Sequence, residues 1–171
     1  MDIPLTSWNP YAIALLLFVT VQRLSELVLA RRNTQRLLAR GAFEVAPDHY
    51  RLMVLMHTAW LVGLWILAPG LPPDPLLATL YGLLQIGRLW VLITLGERWT
   101  TRIIVLPGAP LVRTGPFRFI RHPNYTVVVA EIALLPLVFG LTAFALVFTL
   151  LNAAVLTIRI RAEDGALHQQ R

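Results

Sequence analysis

Arg118, Arg121, His122, Pro123, Asn124 and Tyr125 crowd into eight positions of this 171-residue chain, and Glu131 follows inside an apolar run. Arginine can take an anionic carboxylate bidentately, and a carboxylate can pair with a cation. A structural role explains the cluster equally well. Pro123 suits the first turn of a helix, the arginines snorkel, and Tyr125 sits at headgroup level. Glu131 tips the balance towards function. A carboxylate two turns inside a span costs about 2.5–3.5 kcal/mol on insertion scales, so it faces the bundle interior with a partner. Helical spacing puts it on the face of Asn124, Val127 and Val128, directed at the same cavity as the helix mouth.

A second pair lies in "TIRIRAEDGAL", where Arg159 and Glu163 are one helical turn apart. Alone they read as an exposed ion pair; beside the Arg/His cluster they become a candidate site wall. Arg23, Glu26 and Arg88 are further charges within apolar runs, and they suit internal ion pairs and substrate contacts alike. His49, Tyr50 and His57 flank the start of another run, where a lid and a helix cap are equally consistent. The four histidines do not fall at metal-ligand spacings, so no metal site is expected.

The elements that must carry these residues are membrane helices. The chain is 57% hydrophobic and 14% charged, with mean hydropathy +0.66, against about 25% charged in a soluble domain. Apolar runs at 8–30, 52–68, 75–95, 124–139 and 141–158 predict a single all-α integral membrane domain over 1–171 with five transmembrane helices. The last two form a tight C-terminal hairpin across "FGLT", each short for a full span. Between the third and fourth runs, "GERWTTRIIVLPGAPLVRTGPFRFIR" has little helical period. "RIIVLP" reads as extended chain, and "LPGAP" and "RTGPF" as turns. A loop of that length and apolarity is expected to fold down as a cytoplasmic cap.

Arg31, Arg32, Arg36, Arg40 and Arg51 are assigned to the first connector. Arg98, Arg102, Arg113, Arg118 and Arg121 lie in the long loop, and Arg159, Arg161 and Arg171 at the tail. The positive-inside rule places all of these in the cytoplasm and the amino terminus outside. The net charge of +6 is therefore read as membrane anchoring and not as nucleic-acid binding. The absence of cysteine excludes disulfides and thiolate chemistry, and the absence of lysine excludes Schiff bases. No G-x-G-x-x-G stands in a βαβ context, which argues against a Rossmann cofactor site.

"GPFRFIRHPNY", a following hairpin and "RIRAEDGAL" together resemble the isoprenylcysteine carboxyl methyltransferase family of membrane enzymes. That family carries R-H-P-x-Y before a helical hairpin and R-I-x-x-E-E-x-x-L after it. The first element matches at Arg121, His122, Pro123 and Tyr125, and the second at Arg159, Ile160, Glu163 and Leu167, with Asp164 for the second Glu. Val127 stands where eukaryotic relatives usually carry Gly. The likeness covers about residues 88–167. "RLSELVLARRN" and "HYRLMVLMHTAW" look like the small bacterial branch, several members of which are associated with type III polyketide synthases.

The resemblance implies methyl transfer from S-adenosylmethionine to an oxygen of a lipophilic acceptor, such as a prenylcysteine, alkylpyrone or alkylresorcinol. It implies a cofactor and catalytic region at about 97–167 in a bacterial inner membrane. Arg121, His122, Pro123 and Tyr125 would line the cofactor pocket with Arg118 nearby and Glu131 deeper. Arg159 and Glu163 would stand near the acceptor, Arg159 orienting its oxygen and Glu163 fixing Arg159 or taking a proton. Two other readings compete: a scaffold or transporter subunit whose charges only lock helices, and a membrane reductase using NADPH.

Overall fold

The computed structural model describes residues 8–168, with the side chains of 48, 49, 164 and 166–168 left aside. His49, Asp164 and Leu167, named above, therefore lie outside the described side chains, and Arg171 lies outside the described residues. The elements in order are α1 (Pro10–Ala39), β1 (Phe43–Glu44), α2 (Asp48–Leu67), α3 (Pro75–Leu95), β2 (Ile104–Val105), α4 (Pro123–Val138) and α5 (Thr142–His168).

Each helix start has a local cause. The Asn9 side chain accepts from the Tyr11 and Ala12 amides at 3.0 and 3.3 Å, with proline following at the first helical position. Asp74 caps α3 through the Leu77 amide at 2.9 Å, again with proline next. Pro123 opens α4 without needing an amide partner. Gly140, at φ +69°, turns the chain between α4 and α5, so the expected tight hairpin is present.

Four helices are long and apolar enough to cross a membrane: α1, α2, α3 and α5. The fourth apolar run is shorter, since α4 has 16 residues, about 24 Å at 1.5 Å per residue. Two expectations need correction. The first helix continues through "ARRNTQRLLA", so Arg31, Arg32 and Arg36 lie on α1 and not in a connector, and Arg51 lies on α2. The last helix has 27 residues and is not short, because nothing between Thr142 and His168 breaks it. Both extensions are rich in Arg, Leu and Ala, strong helix formers, so the helix outruns its hydrophobic part.

The interior is built from Leu16, Val19, Trp60, Leu64, Tyr81, Ile132 and Leu135, all at most 1% exposed. The outer surface is apolar too: Ile66 and Ile93 are 72% and 70% exposed. Helices apolar on every side belong in lipid.

The segment between α3 and α4 folds against the helix ends. "RIIVLP" supplies β2, which pairs antiparallel with β1 through Phe43↔Val105 and Glu44↔Ile104. Arg102 meets Glu44 at 2.8 Å, and that hydrogen bond raises the guanidinium's proton affinity. Asn33 on α1, 2% exposed, donates to the carbonyls of Gly96 and Trp99 at 3.1 and 2.8 Å. At Gly115, φ is +56°, and a Cβ there would collide with the Thr94 hydroxyl and lie 3.2 Å from the Trp90 indole nitrogen. Only glycine lets the turn Gly115–Arg118 settle on the end of α3.

Candidate functional site

Two polar clusters face a common cavity of about 320 Å³. Small-molecule sites span about 300–1,000 Å³. The outer cluster is centred on Tyr125, in the first turn of α4. The Arg159 Nε donates to the Tyr125 hydroxyl oxygen at 2.9 Å, and the same hydroxyl donates to the Glu163 carboxylate. Arg159 also lies over the Tyr125 ring, 5.5 Å from its centroid. The two sequence elements on either side of the hairpin thus meet at one oxygen atom. His122 stacks on Tyr125 with centroids 5.4 Å apart at 19°.

Arg159 is 5% exposed. Its Nη1 donates to the Thr101 carbonyl at 2.7 Å and approaches the Met53 sulfur at 3.0 Å. Thr101 belongs to the long loop and Met53 to α2, so three parts of the chain hold this one guanidinium. No carboxylate among the described residues lies within ion-pair distance of it. Glu163 reaches it only through Tyr125, and not as the direct helical pair that their spacing suggested.

The inner cluster is an ion network. Glu131, fully buried, accepts from Arg23 at 2.8 Å, Arg88 at 2.7 Å and Gln85 at 3.0 Å. Arg88 also grips both oxygens of Glu26, and Arg23 bonds Glu26 at 3.3 Å. Gln22 donates to Glu26 and Gln85 at 3.2 and 2.8 Å. Two cations and two anions from α1, α3 and α4 cancel in the apolar interior. Arg23, Glu26 and Arg88 line the cavity, whereas Glu131 lies behind the two arginines, away from its surface. Of the residues that spacing places on one face with Glu131, Asn124 and Val128 line the cavity, but Val127 and Glu131 itself do not. The side chain of Glu131 turns instead to the cations of α1 and α3.

Pro123 is buried at the helix start. Arg118 and Arg121 are exposed and do not line the cavity; Arg118 lies 6.0 Å from the Phe119 ring centroid. His57 lines it, as do Tyr50, Trp99, Thr101 and Asn152. Sequence reasoning passed over the last three. Asn152 had a legible signal, a lone amide in "VFTLLNAAVLT"; Trp99 and Thr101 gave none. Among the described residues, no group of three or more His, Cys, Asp or Glu could hold a metal ion.

Residues 77–169 match the isoprenylcysteine carboxyl methyltransferase (ICMT) family. An uncharacterized protein of Bacillus subtilis (strain 168), YpbQ, is 38% identical over 91% of this chain and 95% of its own length. An uncharacterized protein of Haemophilus influenzae is 28% identical over 85% of this chain and 88% of its own. No solved structure gives a match. A family match over more than half the chain, containing both elements that meet at Tyr125, places the protein in the ICMT family.

Proposed function

We propose that this protein is an integral membrane methyltransferase that uses S-adenosylmethionine to methylate an oxygen of a lipophilic molecule. The observation that carries the reading is the Tyr125–Arg159–Glu163 junction at the wall of a largely apolar cavity. Burying a guanidinium without a carboxylate partner is costly, which makes Arg159 a waiting site for an anionic or strongly polar oxygen.

The donor fits on two counts. Trp99 lines the cavity, and its buried indole N–H has no partner among the described residues. Tyr125, with His122 stacked on it, presents an aromatic ring in the cavity wall. Tyr125 would hold the donor in the cavity, backed by His122 and Pro123, which do not line the cavity, with Arg121 and Arg118 at the exposed rim. When bound, S-adenosylmethionine supplies an electrophilic methyl group. The chain's own task is alignment, since an in-line displacement depends chiefly on holding the reacting atoms in register. Glu163 fixes the Tyr125 hydroxyl, Tyr125 fixes Arg159, and Arg159 orients the acceptor oxygen. Glu131 serves this site indirectly by locking Arg23 and Arg88.

Five crossings complete the picture, with α4 as a short one that a thinned bilayer accommodates. The Arg-rich ends of α1 and α5 and the long loop face the cytoplasm of a bacterial inner membrane, and the amino terminus lies outside. A water-soluble donor then enters from the cytoplasm, and a greasy acceptor enters sideways between helices. Prenylcysteine and alkylpyrone or alkylresorcinol acceptors both suit an apolar cavity, and a type III polyketide synthase would be a matching source of the latter. Equilibrium binding to detergent-purified protein tests the reading. S-adenosylhomocysteine should bind and NADPH should not. NADPH binding alone would favour a reductase, and binding of neither would leave a scaffold.

A further inference from the structure

The junction at Tyr125 leaves one chemical need unmet. A hydroxyl acceptor must lose a proton as its oxygen is methylated, and Glu163 is poorly placed to take it. Glu163 is engaged by the Tyr125 hydroxyl and does not line the cavity. Glu26 does line it but is bonded by Arg23, Arg88 and Gln22. Among the described residues, that leaves His57 as the neutral nitrogen base in the wall.

Its geometry suits the task. His57 Nδ1 lies 2.9 Å from the Met53 carbonyl oxygen. A carbonyl only accepts, so Nδ1 carries the proton and Nε2 keeps a lone pair. Met53 is also the residue on α2 that Arg159 touches, so His57 stands one helical turn deeper than the Arg159 contact.

Asn152 lines the same cavity from α5. It is 1% exposed, and neither its amide nitrogen nor its oxygen has a partner among the described residues. Antiparallel α2 and α5 touch at Met53 and Arg159, and again where a Cβ on Gly63 would lie 2.6 Å from the Phe144 ring. His57 and Asn152 fall between those two contacts, on facing helices. A buried amide with two unmet bonds fits a ligand that offers both a donor and an acceptor. The Arg23–Glu26–Arg88–Glu131 network beside them carries no net charge, so it would not compensate a carboxylate at this depth.

Resting on the methyltransferase reading above, we infer that His57 accepts the proton of a hydroxyl-bearing acceptor whose oxygenated ring is held by Asn152. The acceptor is then a phenol or enol, neutral on entry, with a second oxygen for the amide. In the step, the acceptor oxygen forms its bond to the methyl carbon, and the carbon–sulfur bond of the sulfonium donor breaks with its electron pair going to sulfur. The hydroxyl proton passes to His57 Nε2. The positive charge leaves sulfur and appears on the imidazole, so charge balances.

The test uses the full chain in detergent with labelled S-adenosylmethionine and two probes, 5-pentadecylresorcinol and N-acetyl-S-farnesylcysteine. His57→Asn keeps a donor for the Met53 carbonyl and removes Nε2. It should bind S-adenosylhomocysteine as the wild type does and lose about 10²–10⁴-fold in transfer to the resorcinol. Asn152→Leu should raise KM for the resorcinol, and weaken its binding to the S-adenosylhomocysteine-loaded protein, by about tenfold. Transfer by His57→Asn at near wild-type rate overturns the inference. So does wild-type protein that binds S-adenosylhomocysteine yet methylates only the farnesylcysteine, or neither probe; the methyltransferase reading then still stands on its cofactor. Wild-type protein that fails to bind S-adenosylhomocysteine ends both. Should His57→Asn itself fail to bind it, the resorcinol affinity of Asn152→Leu decides: a loss supports the inference and an unchanged value overturns it.

Discussion

The two polar clusters of this protein use the same residue types to opposite ends. In the inner one, Glu131 and Glu26 answer Arg23 and Arg88, and each carboxylate oxygen has a donor. In the outer one, Arg159 is equally buried but meets a phenol, a carbonyl and a sulfur. The first arrangement is complete within the chain and ties three helices together. The second is incomplete and leaves electrostatic work for a ligand. An intramembrane charge is therefore a poor guide to function until its partners are known; what distinguishes the two sites is whether the charge is already cancelled.

That contrast can be broken most forcefully at Glu131. Glu131→Ala strands two buried guanidinium groups, and removing one partner of a buried ion pair costs about 3–5 kcal/mol. We expect a large fall in thermal stability in detergent, followed by near-ultraviolet circular dichroism, with activity lost only as folded protein is lost. Replacing Glu131 and Arg88 together by Gln and Met should cost much less than the sum of the single changes, since the pair leaves together. A folded, stable Glu131→Ala protein that had lost S-adenosylhomocysteine binding would mean that the acid serves the ligand directly.

Arg159→Ala should act the other way round. Stability should change little, because the lost contacts are to neutral groups. Methyl transfer should fall about 10²–10³-fold, the usual loss when one preorganised electrostatic group is removed. Arg159→Lys should not restore it, since an ammonium cannot span Tyr125, Thr101 and Met53 with one planar fork. Rate measurements beside melting curves separate the two effects.

How much of this was visible beforehand follows from which interactions are local. Helix starts were legible at Pro123 and Pro75, and the turn at "FGLT" was legible through Gly140, because backbone chemistry is written in adjacent residues. The cap over the helix ends was legible as a compact loop with one extended piece. Its strand partner Phe43–Glu44 was not, for a two-residue pairing across the chain has no period to read. Glu131 was correctly seen as an inward-facing acid in need of partners. Which cations it would choose depended on how α1, α3 and α4 pack, and helical spacing within α4 carries no record of that. For the same reason the meeting of Tyr125 with Arg159 and Glu163 at one hydroxyl was not legible, since helical spacing suggested only a direct Arg159–Glu163 pair.

A smaller change probes the outer junction from within. Tyr125→Phe keeps the ring that His122 and Arg159 lie against and removes only the hydroxyl that joins Arg159 to Glu163. A hydrogen bond to a charged group contributes about 1.5–3 kcal/mol, so transfer should fall by about one to two orders of magnitude. Glu163→Gln should resemble it, because its effect travels through the same hydroxyl. The double variant should be no worse than the more damaging single one. Additive losses would show that Glu163 acts on the reaction independently of Tyr125.

The smallest effect sharpens the comparison through a third site of the same stoichiometry. Glu97 sits between Arg36 and Arg40 at 3.4 Å from each, one acid between two cations, as Glu131 sits between Arg23 and Arg88. Here all three side chains are more than half exposed. Water already solvates each charge, and salt screens what attraction is left. Glu97→Gln should therefore shift stability by no more than about 0.5 kcal/mol, within the range of exposed pairs, and that shift should vanish in high salt. Equal losses at Glu97 and Glu131 would mean that the number of ion pairs decides stability; a tenfold disparity assigns the effect to burial, the property that also sets Arg159 apart.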